Sequence, residues 1–150
     1  MIKIYIFADS HKHFISWIQE YTKRLGKSLE VIELKPVKKG TAEQIVSAET
    51  QILLEKVQKI SGYKVILSPE WQSISTKDFF RLIEKQKNSG NKISFFIGGA
   101  NGLDYEKLEL SADFELSLGK MTLPHGLALT MLLEQIYRCK EIEKGSAYHK

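Results

Sequence analysis

The chain has 150 residues, of which 43% are hydrophobic and 27% charged, a size that suits one globular domain and leaves no room for a separate recognition module. Its 22 Lys and Arg against 18 Asp and Glu give a net charge of +4, a bias toward polyanions well short of a basic nucleic-acid-binding tail. The lone Cys139 excludes an internal disulfide framework and a cysteine-cluster zinc site, which makes the reducing cytoplasm the expected compartment. The apolar opening is interrupted at Asp9, too soon for a signal segment, and no apolar run reaches the ~18 residues of a membrane span. A soluble protein without membrane contact is expected.

In chain order, the first eight residues are apolar except Lys3, as a strand buried on both faces requires, and Asp9-Ser10 offers a helix cap. From residue 11 to 25, Phe14, Ile15, Trp17, Ile18, Tyr21 and Leu25 recur at spacings of three and four, one face of a helix that Gly26 ends. Residues 29–34 alternate around two glutamates as a second strand, and residues 35–40 form a basic loop. Thr41 caps a helix carrying Ile45, Ala48, Ile52, Leu53, Val57 and Ile60, closed by Ser61-Gly62. Residues 63–67 are a short strand, and Ser68-Pro69-Glu70-Trp71 a loop, because proline removes a ladder donor. Helical spacing returns over residues 76–88, followed by a strand over 92–97 ending in Gly98-Gly99.

The order β-α-β-α-β-α-β points to an α/β fold with a mostly parallel sheet and helices on both faces. A fifth strand is expected over residues 114–118, then a tight Gly119-Lys120 connection and a helix starting at Pro124. That helix is apolar all round through residues 127–133, so both of its sides should be buried, one of them against another subunit. From Ile142 on there is no periodicity, as in a frayed end.

Gly98-Gly99-Ala100-Asn101-Gly102 follows a strand end, where open α/β sheets place ligands, yet it is neither a dinucleotide fingerprint nor a phosphate loop. A plain turn with Asn-Gly at positive φ and a ligand loop fit it equally. His125 falls in the first turn of the last helix, whose N-terminus disfavours a charged imidazole and leaves an acceptor or base; a structural role is the alternative. His11 and His13 read as solvent-facing, and no metal-ligand spacing occurs, so no metal is expected. Glu134, Gln135 and Arg138 share a helix face, as a buried polar pair across a subunit contact or as a hold on RNA. Tyr148 and His149 offer two rings for an unpaired base.

Taken together, Phe95 through Gly102, Leu116 through His125, Leu133-Glu134-Gln135-Ile136-Tyr137-Arg138 and Gly145-Ser146-Ala147-Tyr148-His149-Lys150 form one ordered series. That series resembles the ribosomal RNA large subunit methyltransferase H family, minimal SPOUT-class enzymes that methylate N3 of a pseudouridine in 23S ribosomal RNA. The likeness spans the whole chain and is most specific in its last third. It implies a SPOUT-type trefoil-knotted domain over residues 1–150, with the knot at about 95–141 and a substrate tail at 142–150. It also implies a homodimer that uses S-adenosylmethionine and acts on the ribosome. By position, the cofactor would contact Leu67, Ser68, Gly98, Gly99, Gly102, Gly119, Lys120, Met121, Thr122, Leu123 and Pro124. His125, Arg138, Tyr148 and His149 would lie near the target base, the tail reaching the partner's pocket.

Three positions depart from the family's pattern: the Ser68-Pro69-Glu70-Trp71-Gln72 loop, Leu129 where an arginine is common, and Asn101 where an acidic residue is frequent. They leave open a SPOUT-like RNA-binding protein with weakened cofactor binding, or a methyltransferase for another RNA base.

Overall fold

Five parallel strands, β1 (Ile2–Phe7), β2 (Leu29–Leu34), β3 (Tyr63–Ser73), β4 (Ile93–Ile97) and β5 (Phe114–Ser117), form a sheet in the order β2-β1-β4-β3-β5. They belong to a computed structural model that describes residues 1–148. Five helices connect or follow them: α1 (Ile15–Leu25), α2 (Ala42–Lys59), α3 (Thr76–Asn88), α4 (Tyr105–Leu108) and α5 (His125–Glu143).

Strand periodicity divides the core. Ile4, Ile6, Val65, Leu67, Phe95 and Ile97 point to one face and meet Ile18, Phe79, Ile83, Leu129, Leu133 and Ile136 from α1, α3 and α5. Tyr5, Phe7, Ile66 and Phe96 point to the other and meet Leu53, Val57 and Leu108 from α2 and α4. With helices on both faces every central strand is covered twice, which is why β1 and β4 read as nearly unbroken apolar runs.

Local signals account for most boundaries. Thr41 Oγ1 accepts from Gln44 N at 3.2 Å while Gln44 Oε1 accepts from Thr41 N at 2.9 Å, a reciprocal cap on α2. Ser75 Oγ accepts from Asp78 N at 3.1 Å at the start of α3.

Four boundaries differ from those expected. Helix α1 starts at Ile15 rather than beside Asp9-Ser10, because Phe14 N–H donates to His11 O at 2.8 Å and closes a separate turn; no side chain caps the helix. Strand β3 runs on to Ser73: Leu67 and Gln72 both pair with Leu116, so residues 68–71 are extruded as a bulge that accommodates Pro69. Helix α4 was not foreseen; Asp104 Oδ1 caps it by accepting from Lys107 N at 3.3 Å. Helix α5 extends to Glu143, past the loss of periodicity at Ile142.

Candidate functional site

Parallel strands deliver their C-terminal ends to one edge of the sheet, and the connections leaving β3, β4 and β5 meet there. Residues 67–70, 97–103, 118–119 and 121–123 line a cleft of about 390 Å³, completed by Tyr105 of α4 and by His125 and Ala128 of α5. The volume lies within the usual range for small-molecule sites.

The bulge after Leu67 is held by Ser68, whose buried Oγ accepts from Glu70 N at 3.1 Å. Ser117 Oγ accepts from Gly119 N at 3.1 Å and lies 2.8 Å from Gly119 O and 3.3 Å from Pro69 O, tying the turn after β5 to the bulge. In the loop after β4, Gly102 N donates to Gly99 O at 3.1 Å, and Gly102 takes a φ of 72°. This is the Asn-Gly turn that the sequence allowed, and it also walls the cleft. Beneath it, a Cβ on Gly99 would come 2.9 Å from Glu49 Oε2 and 3.2 Å from Phe7 Cβ, so the glycine is required by the packing below. A side chain there presses on Glu49 and Phe7 in the core.

Of the residues expected around a cofactor, Leu67, Ser68, Gly98, Gly99, Gly102, Gly119, Met121, Thr122 and Leu123 all line this cleft. Lys120 and Pro124 lie between lining residues without lining it themselves. Glu70, Asn101, Leu103, Tyr105, Leu118 and Ala128 also line it. Among them, Glu70 is the one carboxylate among the described lining residues, and the Tyr105 phenol is pushed up first by burial and then by Glu70. Trp71 meets Tyr105 edge-on at 5.4 Å. Tyr105 was illegible because α4, one turn long, has no period to read.

His125 sits at the cleft wall on the first residue of α5. Its imidazole is held below its usual pKa, as expected, but burial is the first cause and the nearby His11 the second. His11 is buried at 8% exposure, not solvent-facing, because the turn over residues 11–14 folds inward; His13 is exposed as expected. Arg138 and Tyr148 are not part of the cleft wall. Arg138 Nε donates to Glu134 Oε1 at 3.0 Å, the Tyr148 hydroxyl donates to the same oxygen at 3.2 Å, and the guanidinium lies 4.8 Å from the Tyr148 ring. Gln135 Nε2 donates to Glu134 Oε2 at 2.7 Å, and Gln135 Oε1 accepts from Thr76 Oγ1 at 2.9 Å. The polar face of α5 therefore finds partners within its own chain. His149 lies outside the described residues. Leu129, at the position where the family pattern favours arginine, is a fully buried core residue.

Among the described residues no group of three or more His, Cys, Asp or Glu is arranged to hold a metal ion, and no helix is long and apolar enough to cross a membrane.

Comparison with known proteins places this geometry. A family model described as "Predicted SPOUT methyltransferase" matches residues 1–149. Proteins named ribosomal RNA large subunit methyltransferase H are similar from end to end: that of Methylobacillus flagellatus is 34% identical over 99% of both chains. That of Carboxydothermus hydrogenoformans is 39% identical over 89% of this chain and 88% of its own. Among solved structures, a probable methylase family protein from Haemophilus influenzae shares the fold with a TM-score of 0.60 at 14% identity, over 99% of this chain and 70% of that one. A methyltransferase from Legionella pneumophila, solved with its cofactor S-adenosylmethionine bound, matches with a TM-score of 0.52 at 15% identity, over 93% of this chain and 66% of that one. With three strand-end loops converging on one cleft and likeness along its whole length, the chain belongs to the SPOUT methyltransferases, in the family of ribosomal RNA large subunit methyltransferase H.

Proposed function

We propose that this protein uses S-adenosylmethionine to methylate N3 of a pseudouridine in the 23S RNA of the large ribosomal subunit. It does so as a cytoplasmic homodimer of knotted SPOUT domains. The observation that carries the reading is the convergence of residues 67–70, 97–103, 118–119 and 121–123 on one cleft, in a chain similar throughout to ribosomal RNA large subunit methyltransferases H.

The cleft's chemistry fits the cofactor. Leu67, Ile97, Leu118 and Leu123 supply apolar walls for a flat base, and the glycine-rich loop supplies main chain free of side chains. Glu70 supplies the carboxylate that an ammonium group or a ribose diol requires, which answers the replacement by Asn101 of the acid common in that loop. When bound, the sulfonium supplies an electrophilic methyl carbon and keeps the C–S electron pair on sulfur. The rest of the work falls to the protein: orienting the imide nitrogen in line, excluding water and accepting the N3 proton. His125, neutral through burial, is the acceptor at the cleft wall.

Distance supports the dimer. At about 1.5 Å of rise per residue, α5 carries Arg138 about 20 Å from His125. One chain therefore does not bring His125 and the Arg138–Tyr148 pair to one base, whereas a second copy laid across the cleft brings its own pair there. Isothermal calorimetry with S-adenosylmethionine separates the enzyme from an RNA-binding relative that has lost its cofactor. Mass spectrometry of 23S RNA, from ribosomes incubated with protein and cofactor, should show one added methyl on a pseudouridine. A methyl on another base, or none despite cofactor binding, would replace this substrate with a different one.

A further inference from the structure

Near His125, and not among the residues lining the cleft, lies a second imidazole that the proposed reaction does not yet use. The His11 and His125 rings are 6.2 Å apart between centroids and inclined by 58°. His11 Nε2 is 3.1 Å from Glu33 Oε1 on β2, and Glu33 has 54% of its side chain exposed. The other nitrogen, His11 Nδ1, is buried and has no hydrogen-bond partner among the described residues. Buried polar atoms are rarely left alone, and an orphan at the back of a site calls for an explanation.

The approach of the two rings is built into the chain. The turn closed by Phe14 N–H on His11 O turns His11 inward, and the Phe14 ring packs on the first turn of α5 at Gly126, where a Cβ would come 2.7 Å from Phe14 Cδ2. A larger residue at position 126 would push the turn, and His11 with it, away from His125. His125 is faced by His11 from the β1–α1 connection, and His11 by Glu33 from β2; Asp9, on the same connection as His11, is engaged by Lys38 at 2.9 Å.

We propose that Glu33 and His11 are positioning residues for His125. Glu33 accepts the Nε2–H of His11, which leaves Nδ1 as a lone pair; that lone pair accepts the N–H of His125 and fixes the ring as one tautomer, with its remaining nitrogen free for the substrate. The rings form no direct hydrogen bond at this separation; the bond is one that closes as substrate seats, since catalytic bonds commonly tighten then. The inference rests on the proposed function and adds the path of its proton. The imide N3–H bond breaks, the proton goes to the free nitrogen of His125, and the N3 electron pair goes into the new N–C bond. The resulting imidazolium is held by His11, with the Glu33 carboxylate behind it, until the proton passes to water.

Histidine-selective 15N NMR reads the tautomer directly and does not depend on activity. Wild-type protein should show one His125 tautomer. His11→Leu and Glu33→Ala should each give a mixture, and His11→Asn, whose Oδ1 takes the place of Nδ1, should restore the single form. In ribosome methylation, His11→Leu should lower kcat on the order of tenfold, part of the roughly 10²–10⁴ that a general base supplies. It should move the acid limb of the pH profile and leave the cofactor KM unchanged, with His11→Asn recovering most of the rate. An unaltered His125 tautomer in His11→Leu overturns the inference, and so does full methylation by His125→Ala. If wild-type protein fails to methylate ribosomes, the functional reading falls while the NMR arm still decides whether Glu33 and His11 govern His125.

Discussion

Glu49 shows how much of this site is decided by single atoms. It is 2% exposed, its Oε1 accepts from Val37 N at 3.0 Å, and its Oε2, directly under Gly99, is buried without a partner among the described residues. The next residue, Thr50, accepts from Asp104 N at 2.9 Å, so of two adjacent side chains on α2 one bonds the loop after β4 and the other lies against its glycine. Gly99→Ala should cost about 1–3 kcal/mol by overpacking, and the cost should shrink in a Glu49→Ala background, where the nearest clash is gone. Urea unfolding of the four proteins measures that coupling; strict additivity would show that the loop moves aside freely. Burial pushes the Glu49 carboxyl above its ordinary value of 4.5. The native state then binds a proton that the unfolded chain has released, so stability falls as pH rises from about 4.5 toward the raised native value and stays lower beyond it. Glu49→Gln should abolish that decline, seen as a flatter melting temperature between acid and neutral pH.

Whole elements were easier to foresee than the places where they touch. The helix of residues 76–88 and the strand of 29–34 are found as periodicity and cap residues set them, because each rests on signals within a few residues. The extension of β3 was illegible, since Gln72 and Ser73 regain strand structure only by pairing with Leu116 and Ser117, more than forty residues away. His11 and Glu49 were illegible for a related reason: a polar residue, in a turn or on a helix, looks exposed until another element covers it. Two of the three cleft loops, by contrast, announce themselves as glycines at strand ends, those after β4 and β5. Helix α5 joins both cases, its apolar face being plain and its partners not. Cys139 lies on that face, and burial pushes its thiol up to about 12. Iodoacetamide at pH 8 should therefore leave native protein unmodified and label it fully in denaturant. Rapid native labelling would mean that α5 detaches readily from α1 and α3.

At the scale of the molecule, the proposed dimer asks what α5 turns outward. Leu132 is completely buried in the chain's own core, so a charge there unfolds the domain and says nothing about association. Met131, 36% exposed, is the informative neighbour. Met131→Glu should yield a folded monomer by sedimentation that no longer methylates ribosomes; an active monomer would show that one chain completes the site. The tail poses the complementary question. Tyr148 packs edge-on against Tyr137 at 5.0 Å and under Arg138, with its hydroxyl on Glu134. Ending the chain after Gly145 removes that ring, at a cost of about 1–2 kcal/mol for the aromatic and cation–π contacts. The cleft's described lining is left whole, because among the described residues none of it lies beyond Ala128. A net charge of only +4 gives weak general attraction to RNA, so a ring that stacks on an extruded base should matter out of proportion to its size. The truncated protein should thus bind S-adenosylmethionine as the full chain does, melt a few degrees lower, and methylate ribosomes at least tenfold more slowly, on the order of the 1–3 kcal/mol that a stacked base contributes. Undiminished methylation would leave Tyr148 as a brace for α5 and move the grip on the base to other residues.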